Sequence, residues 1–147
     1  MAANINPIFP VAPYTKSVSL ATFACTTRAP TATASLTNAN GFALLSGATT
    51  NGFRVDEIKI QASASAIGGA TVAGLVGIWR WDGTTAYLID EYIVSAVTPS
   101  ATVVAFSYSK EYTTLVLEPA AGIYVSTSIA LAAATTALAA TLFGGTY

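Results

Sequence analysis

Hydrophobic positions in this chain recur mostly at every second residue, in short runs punctuated by glycine, proline and asparagine. That period belongs to a strand, whose successive side chains point to opposite faces. Residues 53–62 alternate, with Val55 in one phase and Ile58, Ile60 and Ala62 in the other. The change of phase at Asp56-Glu57 predicts a bulge, which keeps one face apolar on both sides of it. Asn51-Gly52, just upstream, predicts a turn, because both residues tolerate positive φ. Residues 71–81, carrying Val76 and Ile78, and residues 86–94 read as strands joined at Asp82-Gly83, the clearest hairpin signal in the chain. A first strand is expected over residues 18–26 and another over 42–45, after the turn signal Asn38-Ala39-Asn40-Gly41. Beyond the break at Thr98-Pro99-Ser100, residues 102–108 read as a strand with Val104, Phe106 and Tyr108 on one face. Leu115 and Leu117 precede Pro119-Ala120-Ala121-Gly122; Ile123, Val125, Thr127 and Ile129 then alternate, and a last strand covers 136–143. About eight strands at this spacing predict an all-β fold, a single jelly-roll-like β-sandwich.

Two segments depart from the alternation. Residues 130–140 are rich in alanine, the best helix former. They have no charged residue, no N-cap leading into an amphipathic stripe, and threonines at 135 and 136, so strand is the expected state. At the N-terminus, Pro7, Pro10 and Pro13 fall at every third residue among Ile8, Phe9, Val11 and Tyr14. Proline fixes φ and removes amide donors, so this stretch is expected to be extended and polyproline-like. The chain therefore divides into an N-terminal arm, residues 1–17, and a sandwich domain, residues 18–147. The arm either straps its own domain or reaches a neighbouring subunit, as extended recognition segments do.

Composition changes the picture more than length does. Of the 147 residues, 53 % are hydrophobic and only 9 % charged, against roughly 25 % charged in an average soluble domain. Charged side chains usually supply solubility, so much of the exterior is expected to be covered by copies of the chain or by a partner. The net charge is −1, and Lys16, Arg28, Arg54, Lys59, Arg80 and Lys110 form no basic stripe, so nucleic acid is not an expected partner. The stretch 123–145 is interrupted by serines and threonines and makes a poor membrane span. The start, Met1-Ala2-Ala3-Asn4-Ile5, has no basic segment followed by an apolar core, so no signal peptide is expected. Cys25 stands alone and reads as a buried structural thiol.

Catalytic chemistry finds little to work with. The chain has no histidine, so a serine or cysteine nucleophile would lack the usual imidazole base, and zinc or a redox metal would lack ligands. Ser107-Tyr108-Ser109-Lys110 offers the atoms of a Ser-Lys pair, but neighbours of this kind arise by chance in a chain rich in serine and threonine. The acidic pairs Asp56-Glu57 and Asp90-Glu91 have the groups for glycoside hydrolysis or Ca²⁺ binding, but adjacent side chains on a strand point to opposite faces, so neither pair converges unless a bulge rotates one residue. Gly68-Gly69 lacks the Lys-Ser/Thr of a phosphate loop. No catalytic residue, cofactor or metal is expected. The aromatic residues Trp79, Trp81, Tyr87 and Tyr92 gather around the Asp82-Gly83 hairpin. They could be cross-strand packing partners, interface anchors, or, if the tryptophans share an open strand face, a sugar-stacking platform.

Taken in order, Arg54-Val55-Asp56-Glu57-Ile58-Lys59-Ile60, Trp81-Asp82-Gly83-Thr84, Leu88-Ile89-Asp90-Glu91, Val97-Thr98-Pro99-Ser100-Ala101-Thr102 and Phe143-Gly144-Gly145 resemble a group of small structural proteins of tailed bacteriophages and prophages. The resemblance covers residues 41–147 and leaves out the proline-rich start. It implies a non-enzymatic virion component, a capsid decoration or cement protein on the capsid exterior, all-β and often trimeric, with the major capsid protein and its own copies as partners. It brings no catalytic residues. On that reading Ile8, Phe9, Val11, Tyr14, Trp79, Trp81 and Tyr87 are the expected capsid or subunit contacts. A tail or fibre-associated β-sandwich that binds host-surface glycan through Trp79, Trp81 and Tyr87 is the alternative.

Overall fold

The structure, a computed structural model, describes residues 12–20, 42–46, 51–62, 70–128 and 138–147. Their strands are β1 (Ala12–Ser19), β2 (Phe42–Ser46), β3 (Phe53–Ala62), β4 (Gly74–Trp81), β5 (Ala86–Val94), β6 (Ser107–Leu117), β7 (Gly122–Thr127) and β8 (Leu138–Thr146). They form two four-stranded sheets, ordered β1-β8-β3-β6 and β2-β7-β4-β5, and every pairing is antiparallel. Eight strands in two sheets of this order, with β4 and β5 the one consecutive pair in the same sheet, make a jelly roll, as the strand pattern led one to expect.

Local chemistry sets the corners. Gly52 takes φ +83° in the turn that Asn51-Gly52 predicts. At the β4–β5 hairpin Gly83 takes φ +101°. There the Asp82 carboxylate accepts hydrogen bonds from the backbone N–H of Thr84 (2.8 Å) and Thr85 (2.7 Å) and from the Thr84 hydroxyl (2.9 Å). The expected bulge is present: the register of β3 shifts between Val55 and Glu57 against both neighbours. The shift keeps Phe53, Val55, Ile58 and Ile60 all buried. It also brings β8 very close to β3, since a Cβ on Gly144 would stand 2.0 Å from the Arg54 carbonyl oxygen. Only glycine fits there.

The core lies between the sheets. Val55, Ile58, Ile60, Leu117, Ala140 and Leu142 come from one sheet and Leu45, Val76, Ile78, Tyr92, Ile123 and Val125 from the other. Strands β3 and β5 have the expected bounds. β2 runs one residue further, to Ser46, β4 begins at Gly74 instead of residue 71, and β8 continues past the expected end at 143 through Gly144 and Gly145 to Thr146. Two others shift further. The first strand spans Ala12–Ser19 and pairs along its length with β8, so the expected boundary between arm and domain at residue 17 falls inside β1. Residues 102–106 are not strand; β6 begins at Ser107. Residues 1–11, 21–26, Ile129 and 130–137 lie outside the described residues, and with them Ile8, Phe9, Val11 and Cys25.

Candidate interaction surface

The two sheets turn different chemistry outward. In β3 the phase away from the core carries Arg54, Glu57, Lys59 and Gln61, and Asp56 at the bulge takes a 2.6 Å hydrogen bond from Arg54 Nε. The outward phase of the other sheet runs Phe42 and Leu44 on β2, Tyr124 and Ser126 on β7, Leu75, Gly77, Trp79 and Trp81 on β4, and Leu88, Glu91 and Ile93 on β5. Glu91 is the single charge among these residues. One face is charged and the other is apolar.

Trp79 and Trp81 share a strand face, as a stacking platform requires, but they are 6 % and 7 % exposed. With Phe42 they form a small second cluster against Ala86 and Tyr124. Trp79 meets Phe42 edge-on at 5.7 Å and donates its Nε1–H to the Ser126 hydroxyl at 2.8 Å. Burial raises the Tyr124 phenol above its ordinary pKa. Tyr87, 49 % exposed, pairs with Arg80 and so belongs to the other phase of the sheet. The three residues expected to act together are thus not brought together. Tyr14, half-buried in β1, packs on the core with its ring 6.0 Å from Phe53.

The most exposed apolar groups stand elsewhere. Between β5 and β6, residues 95–106 form a loop with no charged residue anywhere between Glu91 and Lys110. Its base is held by the buried Thr71, which donates its hydroxyl to the Ser95 carbonyl (2.6 Å) and accepts the Val97 N–H (3.1 Å). The Thr71 backbone N–H adds a 2.8 Å bond to the Val97 carbonyl. Further out, Ser100 N–H bonds the Val103 carbonyl at 3.0 Å. This scaffold presents Val104 at 88 % exposure and Ile93, on the adjoining end of β5, at 75 %. Val103, next to Val104, and Val72, next to Thr71, are exposed as well. Sequence reasoning assigned Val104 to a strand face and missed it as a surface group. The signal was there in the uncharged run behind Pro99, a turn former that separates it from β5.

The opposite end of the sandwich holds the start of β1. Ala12 pairs with Thr146, which also pairs with Phe53 at the beginning of β3, whereas Ser107, just after the loop, pairs with Gln61 at the end of β3. Ala12 therefore lies at the end of the fold remote from Val104.

A third cluster links the sheets along the β5 and β6 edges. The Asp90 carboxylate, mostly buried, pairs with Lys110 and accepts a 3.1 Å hydrogen bond from the Tyr112 hydroxyl. The Tyr112 and Tyr92 hydroxyls are 2.6 Å apart, and the Tyr92 ring lies 4.8 Å from that of Tyr108. Burial pushes the Tyr92 and Tyr112 phenols well above the ordinary tyrosine range. The Asp90 hydrogen bond raises Lys110. Asp90 and Glu91 diverge, as neighbours on a strand must. Among the described residues no three His, Cys, Asp or Glu side chains are grouped to hold a metal ion. Compared with family models, with curated proteins and with solved structures, the chain matches none.

Proposed function

We propose that this chain is a non-enzymatic structural protein of a virion, a cement protein that decorates a capsid shell and stabilises it through repeated protein–protein contacts. The observation that carries the reading is the anchored, uncharged loop that holds Val104 and its neighbours in solvent. Exposed aliphatic groups on a pre-ordered scaffold lose little entropy on docking, and a rigid apolar contact is what such economy favours. The low charge of the chain and the apolar outer phase of the β2-β7-β4-β5 sheet point the same way. So does the ordered string of motifs from Arg54 to Gly145 that resembles phage structural proteins.

In this reading the major capsid protein and further copies of the chain, as a homotrimer, are the partners. Specific association usually buries about 1,600 Å² in total, and symmetric repetition multiplies a modest contact through effective concentration. Ala12 and the valine loop lie at opposite ends of the sandwich, so contacts made from both ends would let one chain touch two neighbours. The glycan-binding alternative loses support, because its two tryptophans are inside and Tyr87 is in the other phase.

The test is the copy number of the chain in purified virions, measured by quantitative mass spectrometry against the major capsid protein. A ratio near one, or near one third, is the expected result for a component of the shell lattice. A handful of copies per particle would move it to the tail or portal, and absence from virions would overturn the proposal.

A further inference from the structure

Three tyrosines meet where the two sheets face each other along β5 and β6. Tyr108 is 43 % exposed, Tyr92 is buried at 3 %, and their rings stand 4.8 Å apart at 42° to one another. Tyr92 also shares a 2.6 Å hydrogen bond with Tyr112. Because Tyr112 donates to Asp90, Tyr92 is left to donate to Tyr112. The cluster has an exposed ring to meet an oxidant, a buried ring in contact with it, and a hydrogen-bonded path that ends on a carboxylate.

We infer that Tyr92 and Tyr108 form an oxidative cross-linking site, coupling to a dityrosine that staples β5 to β6 when a peroxidase and hydrogen peroxide supply one-electron oxidation. Tyr108 gives an electron to the oxidant and its phenolic proton to water. Tyr92 gives a second electron, and its proton moves to Tyr112 as Tyr112 passes its own to Asp90. The two phenoxyl radicals join by one carbon–carbon bond between ring carbons ortho to the oxygens. Each ring then sheds its ortho hydrogen as a proton while its oxygen regains one, Tyr108 from water and Tyr92 from Tyr112 as Asp90 returns the proton it held. Two electrons and two protons leave in all, and they reduce one hydrogen peroxide to two waters. A tilt between the rings suits the product, whose linked rings are twisted out of one plane. The site does not depend on the capsid reading, since its parts belong to a single chain.

The experiment treats the dilute full-length chain with hydrogen peroxide and a haem peroxidase. Dityrosine fluorescence and denaturing gels are read, followed by peptide mass spectrometry after elastase, which cuts at the valines and alanines between the two tyrosines. The expected product migrates as a single chain and carries a Tyr92–Tyr108 link. Tyr108→Phe abolishes that link, while Tyr87→Phe, which alters an exposed tyrosine on β5, the strand of Tyr92, leaves it at the wild-type yield. Circular dichroism verifies that both variants fold. No dityrosine, links only between chains, or a yield unchanged by Tyr108→Phe would each overturn the assignment.

Discussion

At the scale of single residues, the positions that tolerate least are set by backbone approach. Gly144 lies against the β3 bulge, where an added Cβ would overlap the Arg54 carbonyl and press on Val55 Cα at 3.3 Å. Both neighbours are backbone of the central pairing, so neither can rotate away. Gly83 is the useful contrast: its φ is +101°, yet nothing stands within 4 Å of an added Cβ. Gly144→Ala is expected to cost about 1–3 kcal/mol, the usual penalty of forcing atoms into a filled site. Gly83→Ala is expected to cost about 1–2 kcal/mol, for positive φ alone. Urea midpoints of the two variants check this, and a Gly144→Ala midpoint equal to wild type would mean that β8 does not sit so close. Of these two, only Gly83 was legible in the sequence, as part of a hairpin dipeptide. Gly144 was visible only as part of a closing motif, because the approach that demands it involves a strand about ninety positions earlier in the chain, and no local pattern encodes that.

At the scale of elements, legibility follows burial. Strand β3 could be bounded from its sequence, and its bulge placed, because an apolar phase facing a core is strongly specified; the edge strand β5 was bounded instead by the turn signals on either side of it, Asp82-Gly83 and Thr98-Pro99-Ser100. The edge strands β1 and β6 were harder. β1 contains Pro13 and is exposed in every second position, so with Pro7 and Pro10 before it in the sequence it read as part of an arm; an edge strand admits proline because one side of it makes no ladder bonds. β6 is exposed nearly throughout, and its start was confused with the preceding run of Val104 and Phe106, whose alternation imitates a strand. The link between β5 and β6 rests on residues that no motif joins: Asp90, Tyr92, Lys110 and Tyr112. That link has a pH signature. Tyr92, Tyr112 and Lys110 all have pKa values raised by the fold, so the folded state holds their protons more tightly than the unfolded chain does. Their contribution is complete below the unfolded tyrosine and lysine values, about 10 and 10.4, and is lost as pH rises beyond them. Stability is therefore expected to fall steeply above about pH 10, the unfolded tyrosine value. The fall should be shallower in Tyr112→Phe, which removes one of the titrating phenols. Urea midpoints taken across the alkaline range measure it, and an identical slope in the variant would remove Tyr112 from the account.

For the whole molecule, the two ends of the sandwich make different predictions, and the strand boundary at Ala12 makes them separable. Deleting residues 1–11 leaves β1 intact, whereas a deletion through Pro13 would remove the pairs Ala12–Thr146 and Pro13–Gly145 and mix folding with binding. If Ile8, Phe9 and Val11 anchor the chain to a shell, the shorter deletion should keep the wild-type urea midpoint and lose shell binding. Val104→Asp tests the other end. A side chain that is 88 % exposed contributes little to the fold, so the unfolding free energy should change by no more than about 0.5 kcal/mol. In a contact, however, the carboxylate would be buried without a partner, and association should weaken by at least about tenfold, or about 1.4 kcal/mol. Binding of each purified variant to shells stripped of the chain reads both ends at once. Loss at the arm alone makes the valine loop a contact between copies, which sedimentation of Val104→Asp would then show as a smaller species. Loss at the loop alone puts the shell at the Val104 end and leaves the arm free to tie neighbours together. Full binding by both would place the contact on the remaining surface, where the apolar outer phase around Leu44 and Leu88 is the part left to cover.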